Sequence, residues 1–462
     1  MRHLPLYARR FIDGADDYYQ AACLSAWQGR PYNRLQIPPL LRLLQATSLM
    51  EPTPMPSNRQ APRGLPEHNQ QSVTQQWLAI LSVAVGAFAL VTSEFLPVGV
   101  LNDVASDLGI SAGLAGLMVT LPGIMAALAA PLISVGVGAL DRRYLLIGLT
   151  LIMIIANTIV AYAVDFNLLL VGRVLLGVSI GGFWATAIAL SGRLAPDGMG
   201  VAKANSIIMA GVTLATVVGV PVGTWLSGLM GWRMTFLVTA LVGIPVLLAQ
   251  VFLLPRLLPE KAIRISDLPA LFINPQARVG LIAVLLIGLA HFAAYTYVAP
   301  FFKQNAGFDG PTIGSLLLLY GVAGFMGNIF AGYAANRSVR HTLMLVALMI
   351  AVSTALFPHF ATGMTGAAML IALWGFAFGA FPACANIWMF VVAPKDVERG
   401  MPLFVAMFQV IIALGSFFGG QVVDHMGTAV LLSLATALVG CGFVTVLVLG
   451  RNVSNSLAAQ AG

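Results

Sequence analysis

The chain has 462 residues, of which 59% are hydrophobic and only 9% are charged, and its formal net charge is +7. Globular domains carry about a quarter charged residues, so this composition excludes a soluble protein. Backbone polar groups must be paired in lipid, which leaves only helices or closed barrels. The apolar runs, such as residues 145–163, lack the alternation of barrel strands. We therefore predict an all-α polytopic membrane protein.

Residues 1–76 differ from the rest of the chain. They are polar and contain Pro-rich stretches such as EPTPMP at 51–56, a composition that predicts a disordered N-terminal arm. The abrupt change of composition after the arm favours a start at Met50 or nearby rather than at Met1. No apolar core followed by a small-residue cleavage site occurs in it, so we expect no cleaved signal peptide.

Beyond the arm, the apolar stretches are long enough to cross a hydrocarbon core, which needs about 20 residues per helix. The sequence predicts twelve spans, at 77–101, 112–137, 144–163, 167–190, 203–229, 233–254, 278–302, 310–335, 341–358, 364–390, 400–423 and 428–450. They divide into an N-terminal six-helix bundle over 77–254 and a C-terminal six-helix bundle over 278–450. A charged linker over 255–277 joins them, and 451–462 form a tail.

The basic residues predict the orientation. If the first span runs outward, 13 of the 16 Lys and Arg residues beyond Trp77 face the cytoplasm. The positive-inside rule then places both termini in the cytoplasm and leaves no basic stripe for nucleic acid. Cys23, Cys384 and Cys441 are scattered and odd in number, so we expect neither a disulfide framework nor a metal site.

The two predicted bundles repeat one another. GVSIGGF at 177–183 aligns with GFAFGAF at 375–381 at an offset of 198 residues, Gly223 and Gly420 differ by 197, and Gly231 and Gly427 differ by 196. Duplicated six-helix halves with a site between them at the midplane are typical of transporters.

Two permanent charges, Glu94 and Arg173, lie deep inside predicted spans. An intramembrane ionisable residue indicates a functional site by default. Glu94 lies seven residues before the predicted end of its span and Arg173 about six residues into its own, so their depths agree to within roughly a turn. We predict that the two face one another across the outer half of the N-terminal cavity and that Glu94 carries a proton. The alternative is a static pair that orients two helices. Histidine is the side chain that ordinarily titrates near neutrality, so His291 is the second candidate proton site.

These features, with LDRRYLLIGLTLIMI and NLLLVGRVLLGVSIGGFWATAIAL inside 140–190, SEFLPVGVLNDVASDLGIS at 93–111 and YTYVAPFF at 295–302, carry a resemblance to a known family. The region 77–450 resembles the major facilitator superfamily, in particular its twelve-span drug:H+ antiporters. It is most similar to bacterial purine ribonucleoside efflux pumps, and sugar efflux transporters share much of the pattern. The resemblance implies proton-driven efflux by alternating access in the bacterial inner membrane, with Arg173 in proton coupling and no cofactor. We expect a monomer.

Two further motifs follow from the resemblance. The loop after the second span keeps Asp141, Arg142 and Arg143 of the family pattern, and its second copy keeps the spacing with Asn336, Arg337 and Arg340. They are expected to latch the cytoplasmic side closed, the alternative being positive loops that only set topology. Gly211, Gly219, Pro221 and Gly223 approximate the antiporter motif, with Val220 inserted, and are expected to seal the fifth span against the eighth.

The substrate contacts are predicted from polar and aromatic residues within spans, namely Phe183, Trp184, Tyr295, Asn386 and Gln409. Rings and amides suit a nucleoside and suit a sugar equally well. A hydrophobic drug is a third possibility. The rival classes are an enzyme, a channel and a non-transporting receptor. No H-E-x-x-H, G-x-S-x-G or P-loop pattern occurs in the chain, which argues against an enzyme and against ATP as the energy source.

Overall fold

The structure, a computed structural model, describes residues 72–136, 140–191, 194–195, 199, 201–257, 270–393 and 397–450. All regular structure within these residues is helical. The helices are α1 (Val73–Leu108), α2 (Ala112–Ala115), α3 (Leu117–Gly136), α4 (Arg142–Ala161), α5 (Phe166–Ser191), α6 (Val201–Leu214), α7 (Val220–Met230), α8 (Trp232–Leu253), α9 (Ala270–Ile273), α10 (Pro275–Thr296), α11 (Val298–Asn305), α12 (Gly310–Phe360), α13 (Met364–Val392), α14 (Val397–Met426) and α15 (Thr428–Leu449).

Eleven helical segments of the described chain are long and apolar enough to cross a membrane. The longest, α12, has 51 residues and would extend about 76 Å if it were straight, more than twice the thickness of a hydrocarbon core. Its backbone is extended at Ser338 (φ −161°, ψ 96°), so α12 consists of two helices that meet there. The predicted all-α fold with twelve spans is therefore confirmed.

Several boundaries differ from the prediction. Helix α1 begins at Val73 rather than Trp77, because Ser72 and Gln75 form a capping box. It continues to Leu108, seven residues beyond its predicted end, and stops only where Gly109 adopts a left-handed conformation (φ 63°). The last two turns carry the polar residues Asn102, Asp103, Ser106 and Asp107, which end the apolar run, and for this reason the predicted span stopped at residue 101. Residues 73–76 of the predicted arm are thus helical, whereas 1–71, 258–269 of the linker and the tail lie outside the described residues.

Glycines let the helices of the N-terminal half approach closely. A Cβ on Gly177 would lie 2.5 Å from the carbonyl oxygen of Pro122, and one on Gly181 would lie 2.6 Å from that of Ala126. Both glycines belong to α5 and both neighbours belong to α3. Small residues at this spacing permit close packing of helices in lipid. The same contact places Arg173, one turn before Gly177, beside α3.

The two halves meet at one end of the bundle, which we name the Asp424 end. There the Asp424 carboxylate accepts hydrogen bonds from Ser111 Oγ (2.6 Å) and Gly113 N (2.9 Å). Trp225 Nε1 donates to the carbonyl of Pro311 (3.2 Å). The hydrogen bonds that join described residues of the two halves lie at this end or at the centre of the bundle. The opposite end, with the loop of Asp141, is named the Asp141 end.

Candidate functional site

Arg173 is fully buried and binds backbone carbonyls of two neighbouring helices. Its guanidinium donates to Met118 O (2.6 Å), Ser93 O (2.8 Å) and Glu94 O (3.0 Å). A buried guanidinium has five donors and needs several acceptors. Arg173 therefore joins α5 to both α1 and α3.

Two prolines explain why the carbonyls of Ser93 and Met118 are available. In a helix the carbonyl of residue i accepts from the N–H of residue i+4, and proline has no N–H. Pro97 lies in α1 four residues after Ser93, and Pro122 lies in α3 four residues after Met118. The Arg173 side chain thus supplies the donors that the two prolines remove from their own helices.

The predicted arrangement of Glu94 and Arg173 facing one another is met in position but not as an ion pair, and their role in proton coupling stays a prediction. The two residues are neighbours at one depth, as expected, but among the described residues their side chains form no ion pair, since the guanidinium is taken up by carbonyls. The Glu94 carboxylate points instead to the other half of the molecule, where its Oε1 accepts from Gln409 Nε2 at 3.1 Å. Both side chains are about 95% buried, with exposures of 4% and 5%.

Polar neighbours extend this site within the N-terminal half. Asn157 Nδ2 donates to Ser93 Oγ (3.0 Å) and to Met153 O (2.9 Å). Ser93 Oγ in turn donates to Ala89 O at 2.8 Å. This chain links α4 to the turn of α1 that carries Glu94. The carboxylate is therefore held on a helix that is hydrogen-bonded to both α4 and α5.

The centre of the C-terminal half is aromatic. His291 stacks face to face on Phe378 (centroids 3.5 Å apart) and on Tyr295 (5.4 Å). Its Nδ1 accepts from Trp374 Nε1 at 3.1 Å, while Tyr320 Oη lies 3.5 Å from its Nε2. An Nδ1 that accepts a hydrogen bond carries no proton, so this geometry assigns the neutral tautomer with hydrogen on Nε2. His291 is fully buried in this cage.

A ring contact joins the two halves beside Glu94. Phe95 stacks on Phe292 with centroids 6.2 Å apart and planes at 12°. The offset of 197 residues that separates Gly223 from Gly420 also separates Phe95 from Phe292 and Glu94 from His291. The two phenyl rings are therefore repeat equivalents that meet one another between the halves.

The other predicted substrate residues are dispersed. Phe183 and Trp184 contact each other at the N-terminal core (centroids 5.9 Å). Asn386 Nδ2 donates to the carbonyl of Pro382, within its own helix (2.9 Å). Tyr295 belongs to the His291 cage and Gln409 binds Glu94. Only Gln409 of the five contacts the Glu94 site directly in the described structure.

The glycines that were predicted to seal the fifth span against the eighth pack on α1 in this structure, and the seal itself stays a prediction. A Cβ on Gly211, Gly219 or Gly223 would overlap Ala84, Thr92 or Leu96 respectively, all on α1. These glycines share one helix face, and that face turns toward α1 rather than α12. The contact with α12 lies on the opposite face, where Gly321 packs on the backbone of Val217 and Gly314 on the Trp225 ring. Pro221 follows a π-helical turn at Ala215–Gly219, a common cause of kinks.

In this conformer the predicted latch residues of the first half bind within that half. Asp141 caps α4, and its Oδ1 accepts from the N–H groups of Arg143 and Leu257, each at 2.9 Å. The backbone N–H of Arg142 donates to Leu257 O (3.0 Å), and the Arg143 guanidinium donates to Val251 O. The loop is thus fastened to the end of α8, and a latch between the halves stays a prediction.

The second copy of the motif behaves in the same way. Asn336 Nδ2 donates to Gly332 O (2.6 Å), and Arg337 hydrogen-bonds the Tyr333 hydroxyl and lies over its ring. Arg340 donates to Leu447 O at 2.9 Å. These three contacts stay inside the C-terminal half.

Sequence reasoning missed several residues of the site. It did not predict the contact of Asp424 with Ser111 between the halves. Nor did it predict the ring contacts made by Phe95, Phe292, Trp374 and Phe378. Signals for some of them existed: the 197-residue offset relates Phe95 to Phe292, and the prolines at 97 and 122 mark the carbonyls that a buried arginine would seek. No local signal relates Gln409 to Glu94, which is 315 residues away.

Comparison with known proteins gives the family and the fold. The Major Facilitator Superfamily profile matches residues 83–401. The transcription regulatory protein OpdE of Pseudomonas aeruginosa is 36% identical over 376 residues, which cover 80% of this chain and 93% of that protein. The purine ribonucleoside efflux pump NepI of Salmonella enteritidis is 34% identical over 377 residues, covering 82% and 94%.

Solved structures resemble the chain in fold. A mutant of the nucleoside transporter NupG aligns with a TM-score of 0.68 at 15% identity and covers 82% of this chain and 100% of that one. A bacterial homolog of the human lysosomal transporter Spinster, in an inward-facing and occupied conformation, aligns with a TM-score of 0.64 at 14% identity. At such identities the likeness extends to the fold alone.

Proposed function

The chain belongs to the major facilitator superfamily, and from that premise we propose that it exports a small polar organic solute in exchange for protons by alternating access. The observation that carries the proposal is the position of Glu94. Its carboxylate is buried at the centre of the bundle, forms no side-chain ion pair among the described residues, and accepts a hydrogen bond from the opposite half.

The geometry supports a division of labour between the two charges. Arg173 holds α1, α3 and α5 together through carbonyls, so it acts as the positioning residue. Glu94 is the proton carrier. A carboxylate accepts from the Gln409 amide when ionised, whereas the protonated acid offers a donor of its own. Protonation of Glu94 thus alters a contact between the two halves, which is what coupling to alternating access requires.

His291 is the second candidate for carrying a proton. Its Nδ1 already accepts from the Trp374 indole, and its ring stacks on both Phe378 and Tyr295. This cage supports a packing role, and we place the coupling site in the N-terminal half.

Purine ribonucleosides are the first substrate class we propose, since that is what the name of NepI says it exports. An arabinose-like sugar and a hydrophobic drug are the alternatives. We further propose that the protein works as a monomer in the bacterial inner membrane with both termini in the cytoplasm, and that the proton gradient is its energy source without a cofactor. In this orientation the Asp424 end faces the periplasm.

The test is Glu94→Gln in inside-out membrane vesicles from an exporter-deficient strain. With an imposed pH gradient, wild-type vesicles should accumulate labelled inosine and release protons when inosine is added. Glu94→Gln should abolish both, because an amide cannot release a proton, and should retain gradient-independent exchange of inosine. Asp165→Asn, at an exposed helix cap, is the matched control and should behave as wild type. Full uphill export by Glu94→Gln would refute the coupling role.

A further inference from the structure

Adjacent residues of α1, Glu94 and Phe95, both face the C-terminal half. Glu94 Oε1 accepts from Gln409 Nε2 at 3.1 Å, and the Phe95 ring stacks on Phe292 in a nearly parallel arrangement. One turn of the N-terminal half thus presents a hydrogen-bond acceptor and an aromatic face side by side. Phe95 is half-buried, in contrast to the carboxylate next to it.

The groups that contact this turn from the C-terminal half lie on two helices, α10 and α14, that pack together through a ring contact. Phe292 lies on α10 and Gln409 on α14, and Phe408, which precedes Gln409, meets the Phe292 ring edge to face (centroids 6.1 Å, planes at 86°). Together they present a flat ring and a nearby amide N–H. A small molecule with a planar heteroaromatic ring and an N–H donor on its edge would combine the flat ring of Phe292 and the amide donor of Gln409.

Alternating access requires the two halves to move relative to one another, and we expect that movement to separate Glu94 from Gln409 and Phe95 from Phe292. The Glu94 turn stays with the N-terminal half in that movement, because Arg173 and Asn157 bind its backbone and Ser93. Separation would leave the carboxylate without its amide donor and the Phe95 ring without its partner. A solute that supplies a donor and a flat ring would replace the two contacts that Gln409 and Phe292 make here, so it is favoured at this turn over a solute that supplies only one of them.

We propose, building on the exporter function above, that Gln409 and Phe292 occupy in this conformer the place of the transported solute. The solute is a planar heteroaromatic with a ring-edge N–H donor, such as a 6-oxopurine nucleoside, whose base stacks on Phe95 and donates to Glu94. The base is read at this turn, and the sugar is not. An arabinose-like sugar has hydroxyl donors but no flat ring to take the place of Phe292.

Inosine and 1-methylinosine test the donor. They share the ring system and the ribose, but methylation removes the ring N–H. In inside-out vesicles with the full chain, 1-methylinosine should inhibit labelled inosine transport at least about tenfold less well than unlabelled inosine, the equivalent of about 1.4 kcal/mol. Ribose should not inhibit. Equal inhibition by the two nucleosides, with proton-coupled inosine transport intact, would overturn this inference and leave the proposed function standing. Absence of any inosine transport by the wild type would overturn both.

Substitutions of Phe95 test the stacking of the base. Phe95→Ala should raise the half-saturating inosine concentration about tenfold, since stacking of a base on an aromatic side chain is lost, and Phe95→Tyr should restore it. Phe330→Ala is the control, because Phe330 is also half-buried but meets Phe376 within its own half (5.4 Å).

Gln409→Ala separates displacement from direct binding. If the amide competes with the solute for Glu94, its removal should lower the half-saturating inosine concentration. If Gln409 itself holds the solute, removal should raise that concentration, and the inference is wrong. Gln250→Ala, which removes another buried amide paired inside one half with Thr150 (2.7 Å), should leave the concentration close to that of the wild type.

Discussion

The two halves of the molecule share a scaffold and differ at their centres. Arg143 donates to the carbonyl of Val251 near the end of α8, and Arg340, 197 residues later, donates to the carbonyl of Leu447 near the end of α15. The same loop is thus fastened to the last helix of its half in both copies. The duplication has kept the contacts that hold each bundle together.

At the centre the correspondence of chemistry ends. Glu94 has His291 as its repeat equivalent, and Arg173 falls at Leu370 or Ile371 for offsets of 197 and 198. The N-terminal centre is a carboxylate beside an arginine bound to carbonyls, whereas the C-terminal centre is an imidazole among stacked rings. One half therefore carries charge and the other carries flat surfaces. A duplicated fold can place two different chemistries at the same depth, facing each other.

The largest expected effect comes from giving the N-terminal centre the apolar residue of the C-terminal one. Arg173→Leu removes three hydrogen bonds and leaves the carbonyls of Ser93 and Met118 buried without donors. Each such bond to a charged group contributes about 1.5–3 kcal/mol, so we expect a marked fall in melting temperature in detergent and complete loss of export. Arg233→Leu removes a partner of Asp107 where the two side chains are 37% and 45% exposed and should cost less than Arg173→Leu, because exposed ion pairs contribute about 1 kcal/mol or less.

A variant in which the helices regain their own backbone donors distinguishes a structural role of Arg173 from a direct role in proton coupling. Pro97→Ala and Pro122→Ala return N–H groups to α1 and α3, so their helices can satisfy the two carbonyls themselves. The triple variant with Arg173→Leu should regain much of the melting temperature and, because Arg173 acts by positioning α1 and α3, part of the export in inside-out vesicles. A stable but inactive variant would instead give Arg173 a direct part in proton coupling. No recovery of stability would contradict the proline explanation.

The fold was predictable from the sequence to a greater extent than the site. Lipid permits only structures with paired backbone groups, so long apolar runs could only be helices, and the number of spans followed. Boundaries were less predictable because caps decide them. The Ser72–Gln75 capping box was visible in the sequence, but residues 102–108 (NDVASDL) mix four polar side chains with three apolar ones and so do not continue the apolar run. Ser338 breaks α12 inside the short basic loop where the prediction had ended one span and begun the next.

The site was predictable only where rarity of a residue was informative. Deep charges are rare in spans, which identified Glu94 and Arg173 and gave their common depth. Which atoms they bind depends on the rotation of each helix about its axis. Helices that are apolar on all sides leave that rotation unspecified by the sequence. For this reason the sequence suggests Arg173 as the neighbour of the Glu94 carboxylate and gives no sign of its hydrogen bond with Gln409.

A smaller effect should distinguish two of the contacts between the halves, both at the Asp424 end. A Cβ on Gly113 would overlap the carbonyl oxygen of Gly420 and the Asp424 carboxylate, whereas a Cβ on Gly314 would meet the ring of Trp225, a side chain that can move. Overpacking against rigid groups costs about 1–3 kcal/mol. Gly113→Ala should therefore open the Asp424 end and raise hydrogen–deuterium exchange at the start of α3 and the end of α14. Gly314→Ala should raise exchange less.

Gly148→Ala is the control for this pair, because no atom beyond its chain neighbours and its own helix backbone lies within 4 Å of its added Cβ, and its exchange should match the wild type. The reverse order, with Gly314→Ala opening the bundle more than Gly113→Ala, would mean that α7 and α12 form the stronger contact.

The smallest expected effect concerns the aromatic centre. Trp374→Phe keeps a ring beside His291 but removes the indole donor to its Nδ1. Loss of one hydrogen bond should reduce the free energy of unfolding by about 1 kcal/mol, and the pH dependence of inosine export should stay as in the wild type. Trp388→Phe, which removes an indole donor to Gln276 O in the same half (3.1 Å), should cost a similar amount. A shift of the pH dependence in Trp374→Phe and not in Trp388→Phe would place His291 in the proton path, and the two centres would then share the chemistry that we assign to Glu94 alone.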